Sequence, residues 1–265
     1  MKKKSWMYVL IALIGIIMIW PGFNDALGKA IKARKEAAME KNLSVEETSI
    51  PSSTPEPMQT PEPLPAEKLL TVPIISQNPE LYNGCEITSV AMMLKAAGHP
   101  VDKMTLAKQV AKDSSPIRRD ENGNILSWGD PNEGFVGDVT GERIGFSVYH
   151  GPVYDLVESI LPGRTVDLTG ESFDRVLQSI SEGQPVLVWT NVTFASVGNW
   201  VTWNSKNSPD KATFSEHAVL LVGYDEDNVY VNDPLDGTAS KKLDRKDFID
   251  SWIQMGSQAI TYIDA

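Results

Sequence analysis

Cys85 is the chain's only cysteine, and its setting favours chemistry over simple burial. It opens a segment in which Ile87, Val90, Ala91 and Leu94 fall at i, i+3, i+4 and i+7, the spacing of one apolar helical face. Free backbone N–H groups and the helix dipole at such an N-terminus favour a thiolate. Glu86 works against it, because a neighbouring carboxylate disfavours a second negative charge unless it turns away to solvent. Without such a setting a lone cysteine is more often a small buried hydrophobe. His217 begins an apolar run at 218–222, and Asp233 closes the next one, just before Pro234. The two runs read as a hairpin around the polar turn 225–228. Such a hairpin brings His217 and Asp233 to one end, where a carboxylate can orient an imidazole. Side chains alternate along a strand, so both residues face one way only with an odd-length loop or a bulge. The chemistry of this set is acyl transfer: a base takes the thiol proton, sulphur attacks a carbonyl, and water releases the thioester. Gln77, eight residues before Cys85, is suited to donate its side-chain amide to the oxyanion, with the Cys85 N–H as second donor.

Positioning these groups requires a particular succession of elements. The apolar stretch 70–75 reads as an entering strand, followed by the helix that Cys85 opens and Gly98 stops. A second helix is expected over 104–112, a long ordered loop over 120–149, and a further helix over 172–181 closed by Gly183. Buried strands follow at 185–190, 217–224 and 229–232. Helices first and an antiparallel sheet after them define an α+β class.

The chain of 265 residues carries a net charge of −11, unevenly spread. Residues 1–43 hold eight Lys/Arg against three Asp/Glu, +5, which leaves −16 for the remainder. An acidic body repels a phosphate backbone, which excludes nucleic acid as a partner. The basic N-terminus suits an anionic membrane surface instead. After Lys2, Lys3 and Lys4, residues 5–24 carry no charge. As a helix they would span about 30 Å, the thickness of a hydrocarbon core. Residues 1–24 are therefore expected to be an uncleaved signal anchor holding the body outside the cell membrane, with a cleaved signal peptide and secretion as the alternative. Residues 25–68 read as an Ala/Lys/Glu-rich helical stalk and then a linker with six prolines between 44 and 66, an extended spacer. The folded domain is expected over 69–265. Three histidines and one cysteine cannot complete a standard zinc quartet without carboxylates, so neither metal nor cofactor is expected.

The residues also carry a family resemblance. The segments 72–77 (VPIISQ), 83–89 (NGCEITS), 216–219 (EHAV) with 232–234 (NDP), and the Gly/Asp-rich stretch 129–138 with 145–149 resemble the C39-like peptidases, a papain-like group related to bacteriocin-processing enzymes. The resemblance covers nearly all of 69–265. His217 lies 132 residues after Cys85, a spacing in the papain-type range. The resemblance implies a papain-like fold, with a helix bearing cysteine packed on an antiparallel sheet bearing histidine and aspartate. It further implies a Cys85–His217–Asp233 triad, Gln77 in the oxyanion hole, and a peptide or protein substrate. Asp130, Asn132, Phe135 and Trp189 are candidate substrate-binding residues, although aromatics beside a strand are more often core. His99 and His150 are expected to be exposed and without a role. Two alternatives stay open: an amidase or acyltransferase on cell-wall peptides, and a peptide-binding module that does not cut.

Overall fold

The structure is a computed structural model that describes residues 64–206 and 209–265. The anchor, the stalk and most of the linker expected from the sequence lie outside the described residues. Among those described, no helix is long and apolar enough to cross a membrane.

Strands β1 (Lys68–Leu69), β6 (Thr165–Asp167), β7 (Val186–Asn191), β10 (Glu216–Tyr224), β11 (Asn228–Asp233), β12 (Thr238–Asp244) and β13 (Ala259–Tyr262) form one antiparallel sheet. Its order is β12-β11-β10-β7-β13-β6, with β1 pairing the far end of β10. Every residue of β7 is buried, as are all but the first of β10. This burial on both faces explains why the two strands read as near-continuous apolar runs.

One face is covered by α1 (Cys85–Ala96), backed by α2 (Lys103–Gln109) and α3 (His150–Ile160). The other is covered by α4 (Phe173–Glu182) and α5 (Arg245–Gln254). Along β10, Ala218, Leu220 and Val222 enter the first core, while Val219 and Leu221 enter the second. The helix α1 is buried on every side from Cys85 to Leu94, not along one stripe as the periodicity suggests, because it lies between the sheet and two other helices. Emptying such a position, as in Leu94→Ala, costs about 2–5 kcal/mol.

Local chemistry explains most of the boundaries. Gly98 (φ 79°) follows the end of α1, and Gly183 (φ 105°) caps α4 in the left-handed region that glycine enters freely. Ser172 caps the start of α4, accepting from the Arg175 N–H. The strand expected at 70–75 is absent: only Lys68–Leu69 pair with β10, and Pro73, which has no N–H to donate, leaves the stretch as a strap. Helix α2 ends at Gln109 instead of 112 because the next residues turn extended, and β2 (Lys112–Asp113) pairs with β5 (Phe135–Val136). The expected loop 120–149 holds more structure than its Gly/Asp content suggests. Here β3 (Arg118–Arg119) and β4 (Ile125–Ser127) join β8 (Val201–Asn204) and β9 (Pro209–Ala212) in a small sheet over a third core of Trp128, Phe146 and Trp203.

Candidate active site

Cys85 is the first residue of α1 and lines a cleft of about 180 Å³ together with Gln77, Glu216 and His217. Gly84 places it there, since a Cβ on Gly84 would meet the Leu81 Cβ at 2.7 Å. The Cys85 side chain is 6% exposed. Its Sγ accepts from the Ala218 N–H at 3.4 Å and its S–H lies 3.4 Å from Glu86 Oε2. Burial pushes the thiol well above its ordinary pKa, and the Glu86 and Glu216 charges push it further, against a smaller opposing effect of the Ala218 N–H. Burial and the two carboxyls thus oppose the helix N-terminus at this sulphur. Glu86 does not turn to solvent: it is fully buried, with Oε1 accepting from Ser147 Oγ at 2.6 Å and from the Val148 N–H at 3.0 Å.

His217 stands on β10, opposite Thr190 of β7. Its Nε2 lies 2.8 Å from Asp233 Oδ1, both residues being 2% exposed, which leaves Nδ1 as the ring nitrogen without that partner. Of the odd-length loop or bulge that strand alternation requires, the bulge is present. Leu221 pairs with Val231 but Gly223 with Tyr230, so β10 carries one extra residue and Asp233 falls on the face of Val219 and His217. Asp233 Oδ2 accepts from Lys241 Nζ at 2.8 Å, and Lys241 also bonds Asp236 at 2.8 Å. Burial alone would raise the Asp233 carboxyl. The His217 hydrogen bond, the His217 charge and Lys241 outweigh it and hold the group well below the usual carboxylate range. The Phe194 ring centroid lies 5.9 Å from that of His217, and Lys241 Nζ stands 5.0 Å from the Phe194 ring centroid.

Gln77 sits on the strap before α1. Its backbone N–H donates to the Pro234 carbonyl at 2.8 Å, which ties it to the Asp233 end of the sheet. Its Nε2 donates one hydrogen to the Tyr82 carbonyl at 2.7 Å, leaving the second for the cleft. Lys103 of α2 fastens the strap, donating to the Ser76 and Gln77 carbonyls at 2.6 and 2.9 Å.

The structure therefore gathers Gln77, Cys85 and His217 around one cleft, with Asp233 behind His217. The other four candidates lie elsewhere. Phe135 and Trp189 are fully buried core residues, and the Trp189 Nε1–H donates to the Val148 carbonyl. Asp130 is a buried turn former that accepts from the Asn132 N–H and Nδ2, and Asn132 faces a separate hollow beside His150 and Trp200. These four shape the scaffold; none lines the Cys85 cleft. His150, expected to be exposed, is half-buried at the start of α3 and bonds Asp167 at 2.8 Å.

Sequence reasoning missed Glu216, Ser147, Lys103 and Lys241. Glu216 had a signal, a charged residue directly before His217 in a strand that otherwise runs apolar. Ser147 lay within the 145–149 stretch that carries the resemblance, whereas Lys103 and Lys241 come from segments with no motif. Among the described residues, one group has metal-ligand chemistry in reach: Cys85 Sγ and one oxygen each of Glu86 and Glu216 lie within 4.8 Å of one another. Three donors fall short of a closed structural zinc site.

With this geometry in place, residues 69–260 match the Peptidase_C39 like family, and the chain belongs to it. The chain is 44% identical to a proposed C39-like peptidase from Bacillus anthracis whose crystal structure superposes with a TM-score of 0.69, covering 75% of this chain and 98% of that one. It is 45% identical over 182 residues to the uncharacterized protein YvpB of Bacillus subtilis (strain 168), 69% of this chain and 70% of that protein. Xylellain, a cysteine protease from Xylella fastidiosa, is 15% identical with a TM-score of 0.40, over 78% of this chain and 90% of that one. No site residue is carried across at that distance. The family and the fold shared with the Bacillus anthracis protein support a peptidase.

Proposed function

We propose that the protein hydrolyses peptide amide bonds, with Cys85 as nucleophile and His217 as general base. The observation that carries this reading is the convergence of Gln77, Cys85 and His217 on one cleft, with Asp233 bonded to His217 Nε2 at 2.8 Å. Asp233 fixes the imidazole so that Nδ1 takes the thiol proton as sulphur attacks the substrate carbonyl. The free hydrogen of Gln77 Nε2 and the Cys85 N–H stabilise the oxyanion. The imidazolium returns its proton to the leaving amine, and water, deprotonated by His217, then frees the acid from the thioester.

The cleft also supports a peptide with apolar side chains. Tyr82, Val192, Phe214 and Leu235 line it, and all four rank among the exposed large hydrophobic residues of the described chain. The uncharged run 5–24 would hold this body at the membrane surface.

The test is mass spectrometry of a peptide library incubated with the full chain and with Cys85→Ala. The expected result is cleavage by the native chain, with a thioester adduct on Cys85, and none by the variant. Cleavage by the variant at the native rate would refute the mechanism. A new amide in place of a free acid would indicate a transferase.

A further inference from the structure

The strap that carries Gln77 is held from three directions. The Gln77 N–H donates to the Pro234 carbonyl, next to Asp233, and Gln77 Nε2 donates to the Tyr82 carbonyl, ahead of Cys85. The third hold is made by a side chain from outside the strap. Lys103 Nζ lies 2.6 Å from the Ser76 carbonyl, 2.9 Å from the Gln77 carbonyl and 2.8 Å from Glu80 Oε2. An ammonium has three hydrogens to donate, and these acceptors take all of them. The Lys103 side chain is 11% exposed against 48% for Glu80, so the cation is enclosed while its carboxylate partner reaches solvent. Helix α2 does not call for a lysine at this position. A cation on a first helical residue opposes the helix dipole, and Asp102 already caps the start by accepting from the Met104 and Thr105 N–H groups. Enclosing the ammonium also costs hydration and side-chain freedom. The bonds to the strap are what offset those costs.

The consequence falls on Gln77, which is 2% exposed and lines the Cys85 cleft. One hydrogen of its Nε2 is engaged by Tyr82. The direction of the other follows from the backbone of residue 77, whose carbonyl Lys103 holds. An oxyanion donor works only if it is already aimed at the place where the charge develops, and a displacement of about 1 Å forfeits most of its effect. We propose that Lys103 is a positioning residue of the oxyanion hole. It fixes the Ser76 and Gln77 carbonyls so that the free hydrogen of Gln77 Nε2 stays aimed into the cleft. Lys103 itself does not line that cleft, so it acts through Gln77 and not on the substrate. The catalytic purpose of this hold rests on the peptidase reading. The hold itself does not.

Lys103→Met in the full chain keeps the apolar stem and removes the ammonium. For a peptide that the native chain cuts in the library experiment, kcat should fall about tenfold with KM nearly unchanged, because the lost interaction is made only in the transition state. The same change made on Gln77→Ala should cost less than about twofold, since a residue that acts through Gln77 then has nothing to position. An unchanged kcat in Lys103→Met, or an equal fold loss in both backgrounds, would overturn the proposal. If Lys103→Met does not fold, Lys103→Arg decides in its place. It keeps the cation, but its planar fork cannot reproduce the three ammonium contacts, so kcat should fall about threefold with Gln77 present and stay level on Gln77→Ala. No loss, or an equal loss in both, would overturn the proposal. Hydrogen exchange needs no substrate. The Gln77 and Leu81 N–H groups, bonded to the Pro234 and Gln77 carbonyls, should exchange about tenfold faster in the variant that folds. Exchange at the native rate would overturn the hold even if peptides are cut. Faster exchange in a protein that cuts no peptide would leave the hold standing and refute the peptidase reading.

Discussion

The two halves of the site treat charge in opposite ways. On the base side, charges alternate: His217, Asp233, Lys241 and Asp236 form a chain in which each 2.8 Å contact sets a group against one of opposite tendency. On the nucleophile side, Glu86 and Glu216 crowd Cys85 with no cation among the described partners. Alternation fixes a tautomer and an orientation, because each partner holds the next in one state. Crowding does the reverse, penalising the ionised sulphur. The two halves therefore place opposite electrostatic demands on neighbouring residues of one cleft.

The sharpest way to break this contrast is to cut the alternating chain at its centre. Asp233→Ala leaves His217 without its orienting carboxylate and Lys241 with one fewer partner. Peptide hydrolysis should fall by about a hundredfold or more, mostly in kcat, because the base is misdirected while the cleft is intact. Steady-state kinetics on the folded variant provide the check. A change confined to KM would mean that the base side only binds substrate.

Lys241→Met gives a smaller effect that separates charge from shape. The Asp233 carboxyl is lowered in the folded state, so its stabilisation is complete above the unfolded value of about 3.9 and is lost as pH falls below it. Lys241 is raised by the Asp233 and Asp236 hydrogen bonds, which outweigh its burial. Its stabilisation is complete below the unfolded value of about 10.4 and is lost as pH rises through the folded one. The variant should be less stable by about 1 kcal/mol between those limits, a modest figure because Lys241 is partly exposed. Urea midpoints at pH 7 would show it, and the gap should persist at pH 3, because Asp233, held well below the usual carboxylate range, stays ionised there in the folded state. A gap that closes by pH 3 would mean that Lys241 does not face an ionised Asp233.

How far each half could be read from the sequence follows the same division. The base side was legible because it is one hairpin: β10 and β11 announce themselves as apolar runs, and alternation demanded an odd-length loop or a bulge, of which the bulge lies between Leu221 and Gly223. The nucleophile side draws on the strap, α1, the segment at Ser147 and β10. Periodicity located α1 but could not tell that it is enclosed on all sides, which is why Glu86 faces inward. Helix α3 was missed because Gly151 and Pro152 resemble a turn, though proline is tolerated in a first helical turn. Helix α5 was missed because its buried set is small, Phe248, Ser251 and Trp252 among charged residues. Strand β13, four buried residues long, carries no alternation to detect.

The smallest expected effect concerns the rim of the cleft, where the halves also differ. Val192, Phe214 and Leu235 flank β7, β10 and β11 on the base side, whereas Tyr82 alone comes from the strap. The Phe214 ring packs 5.6 Å from Phe146 and 6.3 Å from Trp128, so it is held in place although half exposed. Tyr82 is 66% exposed. A side chain already fixed loses less freedom on binding and can cover more substrate. Phe214→Ala should therefore raise KM for apolar peptides about fivefold, roughly 1 kcal/mol, with kcat nearly unchanged, and Tyr82→Ala should do less. Equal effects from the two would mean that substrate spans both halves evenly. A larger effect from Tyr82 would move the apolar anchor to the nucleophile side, where the cleft would then bind and react through the same residues.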